Sequence, residues 1–255
     1  MIHTRGIGVE SNGALIHTQV YGDTKGRPLV FLHGGLGTLE DFTPLIEAFA
    51  DYHCVLMDTR GHGASTLTQQ PLSYPLLAED VEHVIAAHDL KRPAVIGHSD
   101  GGITGVHVAI RQNCELSGLV AIATHGDAPR TDIMNTIYAN LSSKRWRERF
   151  PDGVALYERL NPNPDFERLF EVVVAMWRNV TDGNYPGRET SRIQCPALIM
   201  GGDVDHLVPR DETIALAQAI SKASLGIAPS GSHIFHQEHP DLVIPYIRQF
   251  LAGAP

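Results

Sequence analysis

Hydrophobic and polar positions alternate along residues 7–10 and 14–21, with Ser11-Asn12-Gly13 between them. Period-two alternation around an Asn-Gly pair predicts a β-hairpin. The pattern then changes. Pro28–Leu32 is apolar throughout and ends in glycines, as a strand buried on both faces does. His53–Met57, 94–96, 118–123 and 197–200 read the same way, and 225–228 is a shorter run of this kind. Helical spacing fills the gaps. Leu77, Val81, Val84 and Ile85 share one stripe of residues 76–88, and Asp100–Arg111 reads as a second helix. This order predicts an α/β fold: a mostly parallel central sheet with an N-terminal antiparallel strand and helices on both faces.

The alternation stops after Ala123. Residues 126–189 carry no strand signal and read as short helices joined by turns such as Asn161-Pro162-Asn163-Pro164. Both tryptophans, Trp146 and Trp177, fall here with Tyr138, Phe150, Tyr157, Phe166 and Phe170. The expected organisation is a core of residues 1–125 and 190–255 interrupted by a helical cap at 126–189. Most of its aromatics should form its own small core, with a few lining the roof of a pocket.

Composition narrows the function. The 255 residues are 43% hydrophobic and 19% charged, the values of a globular chain. A net charge of −9 and the lack of any basic block argue against nucleic acid and against an anionic membrane surface. No apolar run approaches the ~20 residues of a membrane span. Cys54, Cys114 and Cys195 are odd in number, form no C-x-x-C pair and read as buried structural residues. The first residues lack the charged-then-apolar pattern of a secretory signal. The expectation is a cytoplasmic protein acting on a small molecule.

Gly97-His98-Ser99-Asp100-Gly101 lies between a predicted strand and a predicted helix. That is the setting in which G-x-S-x-G carries meaning, with a serine exposed on a tight, strained turn at a helix N-terminus. A serine hydroxyl needs a base, and the base needs an orienting acid. Downstream, Asp203 and Asp205 follow the strand at 197–200, and His233 follows the run at 225–228. The chain order is thus Ser, Asp, His.

These segments resemble the α/β-hydrolase superfamily over essentially the whole chain. His33-Gly34-Gly35-Leu36-Gly37 resembles its HG oxyanion loop. Asp58-Thr59-Arg60-Gly61-His62-Gly63-Ala64-Ser65 resembles its D-x-R-G-x-G-x-S turn. Gly202-Asp203-Val204-Asp205-His206-Leu207-Val208-Pro209 is similar to its acid loop, and the stretch from His233 to Pro240 to its terminal H-x-x-x-x-E-x-P. The resemblance implies Ser99 as nucleophile, His233 as base and then acid, Asp205 as orienter, and an oxyanion hole from the backbone N–H groups of Gly35 and Asp100. Asp203 competes with Asp205 and Asp127 is a third position, but family spacing favours Asp205. It implies hydrolysis of a carboxylic ester or lactone of a small to medium, partly apolar substrate. The alternatives on this fold are a C–C bond hydrolase, a cofactor-free dioxygenase and a non-hydrolytic binding protein.

Other features carry less. His233, His236 and His239 lack a partner set with ligand spacing, so no metal is expected. No nucleotide-binding glycine motif follows a strand, so no cofactor is expected. His33 and His62 should hold loop backbones, and His98 is assigned no chemistry. Asp100 reads as an acidic residue at a helix start, where the dipole favours it.

Overall fold

The structure, a computed structural model, describes residues 6–181 and 183–254. Eight strands form one sheet: β1 (Ile7–Ser11), β2 (Ala14–Gly22), β3 (Pro28–Leu32), β4 (His53–Met57), β5 (Ala94–His98), β6 (Gly118–Ile122), β7 (Ala197–Gly202) and β8 (Ala223–Ala228). Their order is β1-β2-β4-β3-β5-β6-β7-β8. Only β2 runs against the rest, pairing antiparallel with β1 and β4. The hairpin closes at Ser11 opposite Ala14. Asn12 and Gly13 turn it with φ of 45° and 79°, both left-handed, which is what the two-residue turn demands and what Asn-Gly tolerates.

The central strands alternate side chains between two buried layers. Val30, Leu32, Val55, Met57 and Val95 face one. Leu29, Phe31, Leu56, Ala94 and Ile96 face the other. Because both faces are dry, these strands are continuously apolar in sequence. Helices cover the sheet: α1 (Thr43–Ile46), α2 (Tyr74–Ala87), α3 (Asp100–Arg111), and, after β7, α8 (Arg210–Ala219), α9 (Phe235–Glu238) and α10 (Pro240–Gly253). Between β6 and β7 lie α4 (Thr131–Thr136), α5 (Ser143–Arg149), α6 (Pro151–Leu160) and α7 (Phe166–Arg178), closed by a 3₁₀ turn at Gly187–Arg192 that straddles the expected boundary at 189.

This helical segment builds a third apolar cluster. Tyr157, Phe166, Leu169, Phe170 and Val173 form its own centre, as expected. The same cluster takes in Leu72, Tyr74 and Ile103 from the sheet's helices and their approaches, with Leu36 and Leu207 from two of the motif loops. Polar clips reinforce the seam: Asn161 Nδ2 donates to the carbonyls of Gly63 and Ser65, both at 3.0 Å. No helix among the described residues is long and apolar enough to cross a membrane. One expectation fails in part. Cys54 is buried, but Cys114 and Cys195 are only half-buried, because they sit at the rim of the sheet rather than inside it.

Candidate active site

The motif loops converge at the carboxyl ends of the strands. Ser99 follows β5 with φ 52° and ψ −117°, a conformation an L-residue adopts only when its surroundings enforce it. The enforcement is steric. A Cβ on Gly97 would lie 2.2 Å from the carbonyl oxygen of Gly101, and one on Gly101 would lie 2.1 Å from that of Leu32. Both contacts are with backbone, so neither position admits a side chain. Ser99 N–H donates to Ile122 O at 2.8 Å, tying the turn to β6.

His233 Nε2 lies 3.0 Å from Ser99 Oγ, and His233 Nδ1 lies 2.8 Å from Asp205 Oδ2. With Nδ1–H donated to the carboxylate, Nε2 accepts a hydrogen bond from the Ser99 hydroxyl. Asp205 Oδ1 accepts from the N–H groups of Leu207 at 2.8 Å and Val208 at 3.1 Å. Burial pushes the Asp205 carboxyl up, but its His233 partner and these two amides outweigh burial and hold it below the usual carboxylate range. The side chain therefore stays ionised and acceptor-only. Asp203 instead pairs with Arg210 at 2.7 Å on the surface, and Asp127 lies near Gly187. The sequence-predicted serine, histidine and second aspartate are brought together, and the two rival aspartates are not.

The HG loop packs against the elbow. A Cβ on Gly34 would sit 2.7 Å from His98 Nδ1, and one on Gly35 would sit 2.4 Å from both Asp100 Oδ2 and Trp177 Cζ2. The N–H groups of Gly35 and Asp100 donate to no protein acceptor among the described residues. For Asp100 this follows from its place as the first residue of α3. His33 and His62 hold this loop. His33 Nε2 accepts from Thr59 N–H at 2.9 Å, and His62 Nε2 accepts from Leu36 N–H at 3.1 Å. Burial pulls the two imidazoles down to about 3 and about 4, so both stay neutral acceptors. Asp58 completes the brace, accepting from Leu39 N–H and Ala64 N–H, both at 2.9 Å.

Asp100 does more than begin a helix. Its carboxylate makes no contact with the helix's own amides. Oδ1 accepts from Tyr74 Oη at 2.8 Å and Oδ2 from Trp177 Nε1 at 2.7 Å. Burial raises its pKa despite these two donors. Trp177, stacked on Tyr138 at 5.7 Å, thus roofs the HG loop from the helical segment. His98, given no chemistry from sequence, donates Nε2–H to the carbonyl of His233 at 2.9 Å. Its ring lies 4.1 Å from that of His236. Burial, with the neighbouring histidines, holds His98 well below the usual range. Nothing local in the sequence announces this contact, because its acceptor is a backbone carbonyl 135 positions away.

Two surface concavities, of about 360 and 400 Å³, are lined by neither Ser99, Asp205 nor His233.

Known proteins bear out this architecture. The human serine hydrolase BPHL is 28% identical over 243 residues, covering 91% of this chain and 81% of that protein. Among solved structures, the meta-cleavage product hydrolase of Pseudomonas fluorescens IP01 superposes with a TM-score of 0.83 at 18% identity, over 97% of each chain. The enol-lactonase of Burkholderia xenovorans LB400 superposes with a TM-score of 0.75 at 22% identity, over 97% of this chain and all of that one. The model of the alpha/beta hydrolase family matches residues 29–245, and the chain belongs to that family.

Proposed function

We propose that the protein is a serine hydrolase cleaving a carboxylic ester or lactone of a small to medium, partly apolar substrate through an acyl-enzyme on Ser99. The observation that carries this reading is the relay from Ser99 Oγ through His233 to Asp205, with contacts of 3.0 and 2.8 Å. Ser99 attacks the carbonyl as His233 Nε2 takes its proton. Asp205 keeps the imidazole in the tautomer that can accept, and stabilises the imidazolium that forms. The N–H groups of Gly35 and Asp100 receive the developing oxyanion. Each such donor is worth about 3–4 kcal/mol of barrier, or on the order of 10²–10³ in rate. His233 then protonates the leaving alkoxide, and water releases the acid by the reverse route. The helical segment 126–189 acts as a cap whose Trp177 roofs the acyl group. The free thiols fit a reducing cytoplasm.

The test uses p-nitrophenyl esters of short and medium acids with wild type and Ser99→Ala, and mass spectrometry after a serine-directed phosphonate. The expected result is turnover lost by at least about 10⁴-fold in the variant, with a wild-type adduct on Ser99. Turnover that survives in Ser99→Ala, or a phosphonate that leaves Ser99 unmodified, overturns the reading.

A further inference from the structure

His233 stands between two packed neighbours, yet its own main chain is held by very little. Before it, Gly231 and Ser232 lie against Gly202 at the end of β7, where an added Cβ would meet their carbonyl oxygens at 2.2 and 2.5 Å. After it, α9 begins at Phe235, whose N–H donates to Ser232 O at 3.2 Å. Between these anchors, neither the N–H nor the C=O of His233 has a backbone partner among the described residues. Its main chain makes one hydrogen bond there: His98 Nε2–H donates to its carbonyl at 2.9 Å.

The strand carries His98 to this point. Side chains alternate along β5, so its last residue, His98, shares a face with Ala94 and Ile96. Phe235 of α9 packs in the same layer as those two, which brings the loop ahead of it over the end of the strand. His98 and Ser99 are adjacent, and together they meet His233 twice: Ser99 Oγ at the imidazole, 3.0 Å from Nε2, and His98 at the main chain. This second contact comes at a cost to packing. With Nε2–H donated, His98 Nδ1 is a buried lone pair with no partner among the described residues. Gly34 closes over it, since a Cβ there would lie 2.7 Å from Nδ1. An unmet buried acceptor costs its full desolvation, so packing alone favours an apolar side chain at position 98. Sequences break such rules where a function repays them.

We infer that His98 is a positioning residue for the general base: its Nε2–H clamps the main chain of His233 to the elbow and so keeps the imidazole beside Ser99 Oγ. This rests on the acyl-enzyme reading of Ser99 and adds to it the group that holds nucleophile and base in register. The base must receive a proton from Ser99 and then deliver it to the leaving group, and a misplacement of about 1 Å in such a group costs on the order of 10²-fold in rate. His98 acts through His233 and exchanges no proton in the reaction.

The experiment measures hydrolysis of p-nitrophenyl butyrate and the rate at which a serine-directed phosphonate labels Ser99, in wild type, His98→Leu, His98→Gln and His98→Asn, with urea unfolding to select the variants that are folded under assay conditions. Leucine keeps bulk and offers no donor. The glutamine amide carries an N–H at the reach of Nε2, whereas that of asparagine stops at the reach of Nδ1, short of His233. His98→Leu and His98→Asn should lose kcat by on the order of 10²-fold with KM little changed, and should label Ser99 more slowly by the same factor. His98→Gln should restore most of both rates, a rescue that a role in bulk packing would not give. Where His98→Leu does not fold, the contrast between glutamine and asparagine decides. A folded His98→Leu with wild-type kcat, or a His98→Gln no faster than His98→Asn, overturns the clamp and leaves the hydrolase reading intact. A wild type that neither turns over the ester nor takes up the phosphonate on Ser99 overturns the hydrolase reading and the clamp with it.

Discussion

Ser99 faces His233 and Asp205, side chains carried by loops at the carboxyl edge of the sheet. Asp100, one residue on, faces Tyr74 and Trp177, the second of them from the helical segment. The two sides of the elbow are held differently. On the sheet side, glycine contacts against backbone leave no room for a different turn, and neutral buried imidazoles hold the HG loop from below. On the roof side, one carboxylate, two hydrogen bonds and an aromatic stack do the fastening. A scaffold of the first kind fixes where Ser99, His233 and Asp205 meet. A roof of the second kind can be recast by a few substitutions without moving them.

Asp205→Asn attacks the first side and should have the largest effect. The amide offers a donor where His233 Nδ1–H needs an acceptor, so the imidazole turns to the wrong tautomer. Steady-state kinetics on a p-nitrophenyl ester should show kcat reduced by about 10⁴-fold, with KM little changed. An equal fall in Asp203→Asn, whose side chain only pairs with surface Arg210, would contradict the division of labour between the two aspartates.

Trp177→Phe attacks the second side. It takes the Nε1–H from a buried carboxylate already raised by desolvation, and it opens space over Gly35. Chemical denaturation should show a loss of about 3 kcal/mol, part hydrogen bond to a charged group and part cavity. The kinetic signature should lie in KM and in the preference among acyl lengths, with kcat falling much less than in Asp205→Asn. A variant with wild-type stability and unchanged ester preference would show that the roof bears on neither.

The same contrast marks what could be read in advance. The sheet was legible because burial on both faces makes β3, β4 and β5 continuously apolar, and Asn12-Gly13 admits the left-handed turn. The meeting of Ser99, His233 and Asp205 was legible because all three sit in short motifs whose spacing the turns dictate. The Asp100 carboxylate was not: its donors lie 26 and 77 positions away, and no local pattern links an elbow residue to a tyrosine and a tryptophan. His98 and the carbonyl of His233, 135 positions apart, were hidden for the same reason. Side-chain partners that meet only through tertiary packing leave no periodic trace.

The histidines behind the relay offer the finest test of the sheet side. His236 is fully buried against Phe42 and His98, and burial pulls its pKa from 6.5 to about 3. Between those values the unfolded chain binds a proton that the native chain does not. Stability therefore falls as pH drops below about 6.5, by up to about 1.4 kcal/mol per pH unit for this one group. Asp41, pushed up to about 7, works in the opposite sense, since the native chain keeps its proton where the unfolded chain has released it. The whole-protein curve is thus a difference of opposing groups, and a single variant isolates one of them. His236→Asn cannot titrate in this range. Urea unfolding at pH 7 and at pH 5 should show wild type losing about 2 kcal/mol more than the variant over that interval. Equal losses would mean that His236 takes up a proton inside the folded protein near its ordinary pKa, and that the layer beneath the relay is wetter and looser than its packing implies.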